Sequence, residues 1–303
     1  MQPHDAPMTD RERLLCQVIR NCPQPSDGLA SALHDPLFYA LAARTNTGAL
    51  IAHSFSTAPE EWRSAHDANQ RRIIGMFAEL DEIALQAGVP IILLENGAVA
   101  RVWPCQGCFS FGDLDVVVRR KDIPKLDHVL KSRGCDRSAG NGRLEYQSEA
   151  LTLNVQAGLV TGVFSKLLRQ PEFEELHSNS SGGGVRLLRP EYMLMQLCMH
   201  AVSHWYVCAP GIQLYRDICW YLRSTRIQWP VFTKLCRKFG VERLASHALN
   251  IAHAALAIEI PECYTGATPI MDLSKLFSPV ALSVPTKLNL LRRMYWTRPP
   301  GLS

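Results

Sequence analysis

No run in the 303-residue chain approaches the roughly 18 apolar residues that a membrane-crossing helix needs, so no membrane partner is expected. Excess charge is also small: 32 Lys and Arg stand against 28 Asp and Glu, a net of +4. A nucleic-acid-binding face would show a concentrated basic stripe. The densest cluster here, Arg119, Arg120, Lys121 and Lys125, straddles a predicted strand end and helix start, where a solvated surface is expected. No nucleic-acid partner is therefore anticipated. Repeats and low-complexity tracts are missing, and 47% hydrophobic with 20% charged residues excludes a disordered or collagen-like chain. Walker A, GxGxxG, GxSxG and HExxH patterns are absent too. Ser181-Gly182-Gly183-Gly184 is not followed by a Lys-Ser/Thr pair, so it reads as linker rather than phosphate loop. Met1–Arg13 is polar and acidic, unlike a signal or transit peptide. With no export signal, the ten cysteines read as reduced thiols and the expected location is the cytoplasm.

What is present is periodic. Length alone suggests about two domains and a core that needs no disulfide or metal staple. Helices are predicted over 10–20, 36–52 and 68–86, the last with Ile73, Phe77, Leu80 and Ala84 as its apolar stripe and Gly88 and Pro90 at its end. Pro90–Leu94 then reads as a buried strand, broken by Asn96-Gly97, with a short helix over 98–103. Asp113–Val118 is a second strand, and Asp122 a candidate N-cap for a helix closed by Gly134. Arg143–Gln147 and Leu151–Gln156 are expected to pair as a hairpin. Beyond the Ser/Gly-rich linker at 177–184, helices are expected over 190–208, 212–223, 230–239 and 241–257. The first of these carries a buried stripe of Leu194, Leu197, Cys198, Ala201, Val202 and Trp205. The expected organisation is a helical N-terminal region (1–72), a small mixed α/β core (73–176), a helical C-terminal domain (185–260) and an irregular or helical tail (261–303).

The most informative motif is Gly112-Asp113-Leu114-Asp115 followed by three valines. Alternation along a strand puts Asp113 and Asp115 on one face and Leu114, Val116 and Val118 on the other. Two neighbouring carboxylates repel, and burying them is costly unless a cation compensates. Oxygen ligands of this kind suit Mg²⁺ bound to a nucleoside triphosphate.

Strand, small-residue turn, short helix, then a strand opening acid-hydrophobic-acid resembles the polymerase-beta-like nucleotidyltransferase superfamily. The chain is more closely similar to a bacterial family of uncharacterised nucleotidyltransferases, over roughly 10–255. The matching stretches are Ile91–Ala98, Gly112–Val118, Leu188-Arg189-Pro190-Glu191, Leu194–His204 with its two histidines, and Leu214–Ile218 around Asp217. The resemblance implies an α+β fold with flanking helices and a transfer of a nucleotidyl group from NTP·Mg²⁺ (or Mn²⁺). The acceptor would be a small molecule, a peptide or a protein, as in natural-product or peptide tailoring. It implies that Asp113 and Asp115 hold the metal, and that Asn96, Gly97 and Ala98 form the triphosphate turn. His200 and His204 would line the cleft, and Asp217 would hold the acceptor or act as base. Positioning and charge stabilisation carry most of such a reaction.

Two positions depart from the family pattern. Asn96 stands where relatives commonly carry Lys, and Asn154 stands where a third acid is expected, on the polar face with Thr152 and Gln156. An amide coordinates through its carbonyl but brings no charge. Glu145 or Glu149 is the nearest replacement in sequence. A degenerate, non-catalytic nucleotide- or partner-binding fold therefore stays open, as does a transferase using a nucleotide-sugar or phosphorylated substrate. His200 and His204 share a helix face, but four ligands on one helix with Cys198 and Cys208 cannot converge on zinc, so hydrogen-bonded histidines against the core are expected. Cys105-Gln106-Gly107-Cys108 is a lone CxxC without a second pair, and small loop residues are the expected reading.

Overall fold

The computed structural model describes residues 8–22, 35–55, 57–140, 143–159, 171–177, 184–207, 211–265 and 273–277, without the side chains of 205–207 and 274. Cys208, Ser181–Gly183, the Trp205 side chain and most of the tail lie outside them.

At the N-terminal side, α1 (Asp10–Asn21) begins at a capping box. Thr9 Oγ1 accepts from the Glu12 N–H while the Glu12 side chain accepts from the Thr9 N–H. The helix expected over 36–52 is two helices, α2 (Pro36–Arg44) and α3 (Gly48–Ser54). Between them Asn46 adopts a left-handed φ of 54°. The Thr45 hydroxyl donates to Leu41 O and that of Thr47 to Ala42 O, each beside the backbone N–H of the same threonine, while Asn46 N turns to Ala43 O, so the backbone ladder shifts register at this join. The third helix, α4 (Glu60–Ala87), starts earlier than its apolar stripe suggests and stops at Gly88, φ 63°.

The core follows. Strand β1 (Pro90–Leu93) is fully buried, and α5 (Glu95–Val102) starts right after it. Asn96 and Gly97 therefore do not form a break; they lie in the first turn of a helix. Strand β2 (Leu114–Val117) leads to α6 (Ile123–Ser132), before which Asp122 is helical and caps nothing; it faces Arg119 at 3.7 Å instead. Next come β3 (Asp136–Gly140), β4 (Arg143–Gln147) and β5 (Thr152–Gln156). The expected hairpin is the antiparallel β4–β5 pair. β3, exposed along its whole length, carries no apolar alternation and was not anticipated. After a short α7 (Phe173–Leu176), β6 (Gly184–Leu187) rises from the end of the Ser/Gly segment and pairs parallel to β1. The six strands run in the order β3-β4-β5-β2-β1-β6, a mixed sheet.

Helices complete the chain: α8 (Pro190–Val207), α9 (Ile212–Ser224), α10 (Trp229–Phe239), α11 (Glu242–Leu256) and α12 (Glu262–Thr265). Among the described residues no helix is long and apolar enough to cross a membrane. α5 packs on β2 and against α8 and α9, so the end of the sheet bearing Asp113 and Asp115 meets the C-terminal helices there. The N-terminal helices join the same core: α1 packs on α11, and the Trp220 indole N–H donates to Ile19 O at 3.0 Å.

Candidate active site

Strand β2 pairs antiparallel to β1 and parallel to β5, which sets Asp115 directly beside Asn154 on β5 and, one strand further, Glu145 on β4. Directly opposed residues share a sheet face. Asp113, just before β2, is half-buried and accepts a hydrogen bond from Asn154 Nδ2 at 2.6 Å. Asp115 is buried, and Arg143 Nη1 on β4 lies 3.0 Å from its Oδ1. Among the residues singled out in the sequence, Asp113, Asp115 and Asn154 therefore meet at one place. Glu145 is exposed on the same row.

A carboxylate not anticipated at all completes the group. Glu95, the first residue of α5, is buried in a left-handed conformation with φ 55°. For a side-chain-bearing residue that conformation costs about 1–2 kcal/mol, and such strain concentrates at functional positions. Glu95 Oε1 lies 2.9 Å from His200 Nδ1, and Gln196 Nε2 donates to the same oxygen at 3.3 Å. Burial alone would favour the neutral acid, but His200, with Arg143 and a hydrogen bond from Asp115, brings Glu95 below the ordinary carboxylate range. Asp115 shows the opposite: desolvation, then the charge of Glu95, pushes it up to about 8 despite Arg143. Burial opposes the charged form of His200, yet Glu95, Asp115 and Asp217 together raise its pKa. Next to it, His204 is driven down to about 4 by burial and then by the His200 charge; the two rings are 4.5 Å apart and edge-on.

Asp217, on α9, is not solvated as a lone acid on a helix would be. It is buried and paired with Arg216 at 2.8 Å, and Arg216 itself lies over the rings of Phe109 and Trp220. Burial raises its pKa, Arg216 opposes that, and its field reaches His200 and Glu95.

The small residues ahead of the acids have a packing role. A Cβ on Gly97 would stand 3.0 Å from Leu114 Cδ2 and 3.3 Å from Leu93 Cδ1, so the missing side chain lets α5 approach the sheet. The N–H of Ala98 is bonded within the helix, to Leu94 O at 3.0 Å, and cannot meet a phosphate. Donors remaining for an anion belong to Glu95, half-buried Asn96 and Gly97 at the positive end of α5.

A family model for uncharacterised nucleotidyltransferases matches residues 31–257, three quarters of the chain. The chain belongs to that family.

Two solved structures are similar in part. One is a crystal structure of ANT(2'')-Ia in complex with adenylyl-2''-tobramycin, 12% identical, covering 55% of this chain and 94% of that one with a TM-score of 0.37. The other is the solution structure of the antibiotic-resistance factor ANT(2'')-Ia, 16% identical, covering 63% and 96% with a TM-score of 0.36. No curated protein matches. In this nucleotidyltransferase the acids of the β2 motif, the α5 start and the two α8 histidines are joined by Glu95, which bridges core and helical region. Its signal in the sequence is slight: one acid directly after four apolar residues, where burial is the default.

Proposed function

We propose that this nucleotidyltransferase uses Asp113 and Asp115 to hold a divalent metal bound to a nucleoside triphosphate. It would transfer the nucleotidyl group to a small-molecule or peptide acceptor of the kind met in natural-product tailoring. The observation that carries this reading is the accumulation of Glu95, Asp113 and Asp115 at the start of α5 and β2 against one guanidinium and one imidazole. Glu95 is engaged by His200 and Gln196, which leaves Asp113 and Asp115 as the hard oxygen donors that suit Mg²⁺ or Mn²⁺. An acid held up to about 8 by burial and then by the charge of Glu95 is a group that an added cation would ionise. When bound, the metal would neutralise charge on the phosphates during transfer. Asn154 is neutral, so two protein carboxylates suit one tightly held ion better than a pair, with any second ion relying on the phosphates themselves.

The chain's own residues then have separate tasks. Asn154 orients Asp113 through its amide, and Arg143 holds Asp115 on the same sheet face. The first N–H groups of α5 point their positive end toward the triphosphate. Glu95 favours the protonated form of His200 beside the acid cluster, and Asp217 supports that charge from α9. The acceptor oxygen forms a bond to the α-phosphorus, the bond to the β-phosphate oxygen breaks, and pyrophosphate leaves with that electron pair. With His200 paired to Glu95 and Asp217 to Arg216, the acceptor proton passes to solvent rather than to either of them.

Pyrophosphate release from each of four labelled NTPs, with Mg²⁺ or Mn²⁺, tests the reading. Asp113→Asn and Asp115→Asn should each abolish metal-dependent nucleotide binding in calorimetry. Glu95→Gln should lower turnover about 10²-fold, as loss of an electrostatic partner at a reacting centre does. Unchanged affinity in both Asp variants would sink the assignment. Arg143 standing on Asp115 favours a second reading, a nucleotide-binding fold without transfer; binding with no pyrophosphate release, with or without an acceptor panel, would select it.

A further inference from the structure

The CxxC loop ahead of Asp113 does not stand alone. Cys105 and Cys108 lie 3.0 Å apart at their sulfurs, and His66 Nε2, on α4, is 3.3 Å from Cys105 Sγ. His53, in the last turn of α3, closes the group: the four ligand atoms all fall within 4.8 Å of one another. No other group of three or more His, Cys, Asp or Glu among the described residues converges this way. Tetrahedral zinc spaces such atoms roughly 3.3–3.8 Å apart, a range that these separations bracket.

We infer that His53, His66, Cys105 and Cys108 form a structural Zn²⁺ site that ties the helical N-terminal region to the loop leading into Asp113. Two thiolates and two neutral imidazoles neutralise one divalent zinc, and this mixed sulfur and nitrogen set selects zinc over the oxygen-seeking magnesium proposed above. Three further observations support it. His66 Nδ1 lies 3.1 Å from the carboxylate of Asp67, the outer partner that leaves Nε2 as the ligating atom. The rings of His53 and His66 stack at 5.5 Å and 23°, which holds the two imidazoles side by side. Gly107, inside the CxxC, would place a Cβ 2.8 Å from His66 Nε2 and 2.7 Å from Gln70 Oε1; a side chain there would block the approach.

The loop is clamped by the same helix. Gln70 accepts from Gly107 N, Asn69 donates to Gly107 O and Phe109 O, and Arg72 donates to Phe111 O, two residues before Asp113. Zinc would anchor the start of this clamp. Its loss would therefore loosen Asp113 without touching it.

The test needs no nucleotide. Full-length protein produced with added zinc and purified under reducing conditions without chelator should carry one zinc per chain by mass spectrometry of the metal. Cys105→Ser with Cys108→Ser, and separately His53→Ala, should lose that equivalent, whereas Cys263→Ser, at an exposed cysteine, should keep it. Should the double variant fail to fold, Co²⁺ added to metal-free wild type should give thiolate-to-cobalt charge-transfer and tetrahedral d–d bands that zinc then abolishes. Background zinc with no cobalt–thiolate band would overturn the proposal. So would a Cys105–Cys108 disulfide as the resident form in freshly purified, zinc-supplemented protein.

Discussion

Asp115 is buried beside the charge of Glu95, and its protonation is the most testable consequence. Its pKa stands near 8 in the folded chain, against 3.8 for the free side chain. A group raised in this way contributes stability that is complete below about 4 and is lost as pH climbs through about 8. Asp115→Asn cannot ionise. Its melting temperature relative to wild type should therefore rise steadily between pH 5 and pH 8.5 in calorimetric scans without nucleotide, and a pH-independent difference would show that Asp115 is not the titrating group. At this scale the sequence was legible in part. Strand alternation brought out Asp113 and Asp115, whereas Asn154 was singled out by the family resemblance, the period of two placing it only on the polar face with Thr152 and Gln156. Glu95, Arg143, His53 and His66 were not legible, since each matters only through a neighbour 20 to 105 residues away, supplied by sheet register or helix packing. The left-handed φ of Glu95 leaves no mark in its residue type at all.

At the scale of elements, α5 decides how the acids are presented. The Asn96-Gly97 pair has the composition of a turn, and its helical state follows from tertiary packing: Gly97 sits where α5 presses on Leu93 and Leu114, the residue between the two aspartates. A phosphate turn would tolerate added bulk in the free protein; a packing glycine would not. Gly97→Val should cost about 1–3 kcal/mol of stability through overpacking, read from denaturant unfolding without ligand, together with weaker nucleotide binding. Unchanged stability with weakened binding would instead return Gly97 to a direct phosphate role. The helix divided at Asn46 and the unanticipated β3 and β6 share a cause. Hydrophobic periodicity reports which face is buried, not where one left-handed residue divides a helix or where a short edge strand finds a partner.

For the whole molecule, the question is whether the N-terminal helices are a separate unit or part of the nucleotidyltransferase core. Trp220 on α9 points to the latter. It stacks on Trp103 at 4.7 Å and 6°, meets Phe109 edge-on at 5.2 Å, lies under Arg216, and donates its indole proton to Ile19 O of α1. One side chain thus joins the first helix, the loop carrying the cysteines and the helix carrying Asp217. Aromatic truncation in such a setting costs about 3–5 kcal/mol, and the abandoned Ile19 carbonyl adds to the loss. Trp220→Ala should therefore lower the melting temperature of the whole chain in a single transition, with far-ultraviolet helicity and the near-ultraviolet signal of the remaining tryptophans melting together. Trp220→Phe, which keeps the stack but not the donor, should fall between the two. If the variant shows an early transition that takes only part of the helicity while nucleotide binding survives it, the N-terminal helices fold apart from the core. Coincident melting and loss of binding would mean that Asp113, Asp115 and Glu95 are held in place by packing that begins at α1.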